Sequence, residues 1–153
     1  MARPGALFNT HVKLLAFDLL SLTQNPSSSS FSRRGIHLSR AEAVGTVTSR
    51  EFKPDRFLRF TLDDGTGCVH CILWLNQLSF PSSTDVPDVA LADLIQLGKV
   101  ARVRGQITSF RGVVQITVSD VVIETDPNSE IFHWLDCLNL ARKCYDILPS
   151  KRN

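Results

Sequence analysis

"RVRGQITSFRGVVQI", residues 102–116, is the stretch on which the fold turns. At a period of two, Val103, Gly105, Ile107 and Ser109 line one side. Arg102, Arg104, Gln106, Thr108 and Phe110 line the other. A half-buried strand accounts for the first row. The second row holds two arginines, two neutral polar groups and an aromatic, which is more than solubility asks of a strand surface. After the "RG" at 111–112 a second run, "VVQITVSDVVIE" (113–124), returns as the partner strand of a hairpin.

Upstream the same period recurs three times. "AEAVGTVTSREF" (41–52) reads as a strand that ends in the turn Lys53-Pro54-Asp55. "RFLRFTL" (56–62) puts Leu58, Phe60 and Leu62 on one face and Phe57, Arg59 and Thr61 on the other. "DDGTG" (63–67) is a tight turn, rich in residues that accept positive φ. "CVHCILWL" (68–75) then carries Cys68, His70, Ile72 and Trp74 on one side. Next comes a short helical piece, "VALADLIQLG" (89–98), with Leu91, Leu94 and Ile95 facing inward and Gly98 as its C-cap. Three strands, a helix and two strands is the order of an OB fold. The expected class is therefore mainly β, a five-stranded OB-fold barrel over 41–125. An SH3-like barrel or a small sandwich has similar strands but calls for no helix after the third.

Two flanks remain. Thr10 can cap a helix through "HVKLLAFDLLSL" (11–22), with Val12, Leu15, Ala16, Leu19 and Leu22 on one face, and "NPSSSSFSRRG" (25–35) has the composition of a flexible linker. Residues 1–40 are thus expected to form a helical lead-in and a Ser-rich linker. Asp18 stands there against Arg3, Lys13, Arg33, Arg34 and Arg40, a composition that an organellar presequence shares. At the other end Asp126 and Pro127 fit N-cap and N1 of a long helix, 126–148.

Composition bounds the chemistry. A chain of 153 residues with 43% hydrophobic content suggests one domain with some extra segments. The net charge of +2 is modest, but residues 99–118 hold Lys99, Arg102, Arg104 and Arg111 and no acid. Such a local stripe suits phosphate contact, although solvated strands also collect arginines. Cys68 and Cys71 in "CVHC" lack the second ligand pair a zinc site needs, Cys137 and Cys144 being seven apart. On a strand they also point to opposite faces, so buried structural thiols in a reduced, intracellular chain are expected. The four histidines are dispersed, and no phosphate-binding loop, nucleophile elbow or Gly-rich dinucleotide turn is present. No enzyme, cofactor, metal or membrane span is expected.

A nucleic-acid site answers the question raised by the outward row. Single strands offer flat bases and a string of phosphates, so a binder interleaves aromatics with cations. The candidates are Trp74, Phe110, Arg59, Arg102, Arg104 and Arg111, with Phe57 either beside them or in the core. A second candidate site lies on the terminal helix. Ile131, Trp134, Leu138, Ala141, Tyr145 and Leu148 recur at 3-4-3-4-3, a seam of period 3.5 that suits a partner helix.

Taken together, "VGTVTS", "FTLDDGTGCVHCILW", "ARVRGQITSFRGVVQI" and the "TDPNSE…W…ARKCYD" tail resemble the Stn subunit of the CST telomere-capping complex. That family is related to the middle subunit of replication protein A, and the likeness, to the short plant-type form, runs over about residues 8–147. The resemblance places the family's DNA-contact aromatics on Trp74 and Phe110, and makes "HVKLLAFDLL" a lead-in segment rather than a presequence. It implies a non-enzymatic nuclear protein that binds single-stranded telomeric DNA at chromosome ends. It also implies a small Ten-type OB-fold partner on the terminal helix, a large Ctc-type scaffold, and help to DNA polymerase α–primase in fill-in synthesis. Two other readings stand beside it: an RNA-binding OB module of tRNA-anticodon type, and a thiol oxidoreductase using Cys68 and Cys71.

Overall fold

The computed structural model describes residues 11–24, 31–33, 36–75 and 92–142. Five long strands carry the fold: β5 (Arg40–Lys53), β6 (Phe57–Asp63), β7 (Cys68–Trp74), β8 (Val100–Phe110) and β9 (Val113–Glu124). They pair in the order β5-β6-β7-β9-β8, and β8 returns to β5, giving the ring of an OB fold. The long β5 makes this possible. Its first half, 40–46, pairs with β8 and its second half, 46–53, with β6. The change of partner falls at Thr46, and beside it, at Gly45, an added Cβ would lie 2.9 Å from the Asp63 carbonyl oxygen. The thinnest seam is the parallel pairing of β7 with β9, in which only His70, Cys71 and Ile72 face Gln115, Ile116 and Thr117.

Alternation holds through the decisive stretch. Ala101, Val103, Gly105 and Ile107 are buried, while Arg104, Gln106 and Phe110 are exposed. Leu58, Phe60 and Leu62 of β6 meet Val69, Cys71 and Leu73 of β7 in the same core. The hairpin tip is a two-residue turn with Arg111 at φ 53° and Gly112 at φ 79°, the primed geometry that matches strand twist. At Arg104/Gly105 the β8–β9 register shifts and Ser119 becomes the extra residue, its hydroxyl donating to the Arg104 carbonyl.

The lead-in differs from the expected helix. Residues 11–13 form a strand, β1 (His11–Lys13), parallel to residues 40–42 of β5, on the same side as β6 but beyond its end; only Ala16–Leu20 are helical, as α1. Thr10 lies outside the described residues. Val12, Leu15, Ala16, Leu19 and Leu22, placed on one face by the helical reading, are all buried. An apolar pattern this short satisfied both periods, and the free edge of β5 decided for a strand. The linker expectation also needs correction. β3 (Phe31–Arg33) pairs with β2 (Thr23–Gln24) and β4 (Ile36–Leu38), and Phe31 and Leu38 sit in the core at 1% and 0% exposure.

Between β7 and β8 the described residues resume, after Leu75, at the helical turn 92–94. Ala92 and Ile95 are buried, but Leu94, expected inward, is exposed; Leu91 lies outside the described residues. Gly98 has the positive φ of a C-cap, at 85°, and its N–H donates to the Val47 carbonyl. The terminal helix α2 (Ser129–Leu140) starts later than expected, because Asp126 instead makes a turn by accepting from the Asn128 N–H.

Candidate nucleic-acid and partner interfaces

On the outward face of β6 and β7 the rings and cations form one continuous run. Trp74 meets Phe57 edge to face, with centroids 5.9 Å apart. The Arg59 guanidinium lies between two rings, 4.9 Å from Phe57 and 5.1 Å from Phe110, and Arg111 covers Phe110 at 5.0 Å. Arg56 adds a further cation over Phe57, at 5.8 Å. The tip of the β8–β9 hairpin therefore folds over β6. Trp74 and Phe110 remain 37% and 45% exposed, a costly arrangement for large rings unless something else covers them. Phe57 is buried, so it supports the run from beneath. Arg59 keeps its Nε–H buried without a hydrogen-bond partner.

Arg102 and Arg104 belong elsewhere. Both bond the Glu42 carboxylate, Arg104 at 2.6 Å, and Arg102 also reaches Glu124 at 2.8 Å. Glu124 in turn accepts from the Ser129 hydroxyl at the start of α2. The two arginines expected to touch phosphates thus tie β5, β8, β9 and the terminal helix together. At about 3.3 Å per residue, Arg104 lies about 20 Å along the strand from Phe110.

This cluster sets an acid limit. Burial opposes the Glu42 carboxylate, yet the hydrogen bonds from Arg104 and Arg102 outweigh it and hold its pKa below the ordinary value. Glu124 is also lowered, first by its bond from Arg102. A depressed carboxylate contributes stability that is present above the unfolded value, 4.5, and lost as pH falls through the folded one. His133, lowered by burial, begins its own loss earlier, below 6.5. The melting temperature should therefore decline in two stages on acidification. Glu42→Gln should lower it by several degrees at pH 7, having lost charged hydrogen bonds worth about 2 kcal/mol, and should flatten the second stage only. Thermal melts at pH 7, 5.5 and 4 check this; an unaltered second stage in Glu42→Gln would contradict it.

The turn after β6 is a second junction. Asp64 is buried, and its carboxylate accepts from the Ala16 N–H at 2.7 Å and from the Thr66 N–H and hydroxyl at 2.9 and 2.6 Å. The Thr66 hydroxyl accepts from the Phe17 N–H, so the hairpin turn caps α1 from outside the helix. The adjacent acids are turn formers, as expected of "DDGTG".

Helix α2 stands on this turn. The Trp134 indole donates to the Asp64 carbonyl at 2.9 Å and its ring packs beside Gly65. His133, Cys137 and Ala141 face the barrel, with His133 Nε2 3.3 Å from both the Leu14 carbonyl and the Cys137 sulfur. The 3.5-residue seam is thereby divided. Ala141, at 7% exposure, belongs to the barrel core, because a helix laid on its own sheet buries one stripe there. Ile131 and Leu138 point outward with Leu135 and Phe132, which the seam did not include. Ile131, Leu135 and Leu138 with Trp134 line a shallow apolar groove closed by Pro127 and Glu130. Their i, i+4, i+7 spacing was the available signal. Tyr145, Leu148 and Cys144 lie outside the described residues.

Among the thiols, Cys71 and Cys137 are buried and held protonated by that burial, Cys137 at about 12. Cys68 is exposed, correcting the expectation that it is buried: it opens β7 on the outward row. Cys68 and Cys71 point to opposite faces, which does not suit a redox pair. Among the described residues no three His, Cys, Asp or Glu side chains gather as a metal site, and no helix is long and apolar enough to cross a membrane.

Comparison with known proteins bears on the family and the fold. Residues 42–124 match the family described as OB-fold nucleic acid binding domain, of tRNA-anticodon type. Over 93% of its length the chain is 49% identical to the CST complex subunit STN1 of Arabidopsis thaliana, covering 96% of that protein. The fold is similar to a chain in the crystal structure of the S. pombe Stn1–Ten1 complex, with TM-score 0.73 and 18% identity, over 86% of this chain and 91% of that one. It is equally similar to a chain of a replication protein A heterotrimer bound to single-stranded DNA, with TM-score 0.73 and 21% identity, over 88% and 98%.

Proposed function

We propose, since the chain belongs to the STN1 family of CST complex subunits and is built on an OB-fold nucleic acid binding domain, that it binds single-stranded DNA through the run Trp74–Phe57–Arg59–Phe110–Arg111. That run carries the proposal: two exposed rings are interleaved with guanidinium groups on one face, which is the chemistry of stacked bases and following phosphates. Arg102 and Arg104 act at one remove, by fixing the sheet under it. The chain is then a non-enzymatic, nuclear subunit that protects chromosome ends and assists fill-in synthesis with DNA polymerase α–primase. Its exposed α2 face receives a small Ten-type OB-fold partner, and a large Ctc-type scaffold completes a heterotrimer.

Each stacked base is worth roughly 1–3 kcal/mol, so Phe110→Ala and Trp74→Ala should each weaken binding of a single-stranded DNA oligonucleotide about tenfold. Both rings are exposed, so both variants should melt close to the parent chain. Affinity should fall steeply with salt in all three. Full affinity in both folded variants would remove the site from this face. The same titration with a single-stranded RNA tests the tRNA-anticodon-type alternative: clear preference for RNA would favour it.

A further inference from the structure

We infer that Glu51 is a resident counter-ion of the nucleic-acid run, one that an incoming phosphate must displace. The inference rests on the binding face proposed above. Glu51 lies directly opposite Arg59 across the β5–β6 ladder, on the same outward face. One carboxylate oxygen is 3.8 Å from Arg59 Nη1 and the other is 3.8 Å from Lys53 Nζ. Both distances allow attraction, and both are too long for a hydrogen bond. The side chain is half exposed, so nothing locks the carboxylate in place.

Arg59 is oriented by the rings on either side of it, while its buried Nε–H has no acceptor. The part of its guanidinium that an oxyanion can reach is the partly exposed Nη1 side, where Glu51 at 3.8 Å answers only part of its charge. A phosphate arriving between bases stacked on Trp74 and Phe110 meets that carboxylate first. It must push Glu51 aside, losing two weak ion pairs, or remain beside a like charge. Contrast Glu42, whose carboxylate is buried and doubly hydrogen-bonded: it holds its arginines permanently. Glu51 holds Arg59 and Lys53 loosely. Its effect is to lower affinity for any phosphodiester strand and to leave stacking untouched.

Glu51→Gln keeps the shape and removes the charge. In the full chain at low salt it should bind a dT oligonucleotide about 16 nucleotides long roughly two- to fivefold more tightly than the parent, the range expected for an exposed charge pair. The gain should shrink towards nothing at about 0.5 M salt, where screening is short-ranged. A dT strand with neutral methylphosphonate linkages should bind parent and variant alike. Glu51→Ala provides a second variant should Glu51→Gln fold poorly. Equal or weaker binding by both folded variants, while Phe110→Ala still loses affinity, overturns the role of Glu51 and leaves the face intact. A gain that persists on the neutral strand overturns it as well. Unchanged binding in Phe110→Ala removes the face, and the counter-ion with it.

Discussion

Glutamate at Leu135 or Leu138 should abolish assembly of this chain with a small OB-fold partner while leaving its own melting temperature within a few degrees of the parent. Both side chains are about half exposed on the free chain, so a charge there is solvated and costs little, within about 0.5 kcal/mol for a surface site. In a complex the same carboxylate would be sealed against apolar neighbours, and desolvating it costs several kcal/mol, enough for a thousandfold loss or more. Trp134→Ala makes the contrast. It removes groove wall as well as the indole hydrogen bond to the Asp64 carbonyl, so it should weaken assembly and also lower the melting temperature of the free chain. Size-exclusion of each variant with the partner, beside a melt of the variant alone, separates the two effects. A complex that survives both glutamates would place the partner on another surface.

Gly105→Ala should be the most damaging single methyl in the barrel. Built at that position, a Cβ would stand 2.0 Å from the Thr117 carbonyl oxygen, 2.8 Å from its carbon and 2.9 Å from Ile116 Cγ2. Two of these atoms are backbone of the neighbouring strand, held by the β8–β9 ladder beside a register shift, and cannot rotate away. The strands must separate locally, at a cost above about 4 kcal/mol. That corresponds to a melting temperature about 10–25 °C lower for a domain of this size, or to failure to fold. Gly98→Ala is the control. An added Cβ there meets nothing within 4 Å, and only the positive φ of 85° resists it, at about 1 kcal/mol. If the two variants melted together, the close approach at Gly105 would be without consequence.

The barrel was legible because its alternation is local. Val103, Gly105 and Ile107 against Arg104, Gln106 and Phe110 need no knowledge of the rest of the chain. The lead-in was not, because β1 is three residues long and exists only through Ala41 and its neighbours in β5, about thirty positions away. Phe31, Ile36 and Leu38 were hidden by the serines and arginines around them, although each is an apolar residue that the core takes up. At the candidate sites, the aromatics and Arg59 and Arg111 could be read from type and spacing. Arg102 and Arg104 could not be told apart from them, since the acid that claims them, Glu42, is about sixty residues distant in the chain. The helix seam mixed two faces because a stripe of period 3.5 cannot say which flank is already covered. His133 and Cys137 on the opposite flank held that information.

The divided allegiance of β5 also imposes an order of events on synthesis. Its second half can pair with β6 as soon as residues 57–63 leave the ribosome. Its first half waits for residues 100–106, about sixty positions later, which at about 5–20 residues per second is several seconds. Through that interval a run of backbone donors and acceptors would lie open to any other extended chain. The early strand β1 protects one side of that run from the outset, because it precedes β5 in the chain and pairs at residues 40–42. The side reserved for β8 has no such guard. A nascent chain stalled before residue 100 is thus the species most exposed to mispairing, and the lead-in shortens its vulnerable edge by the three residues it covers.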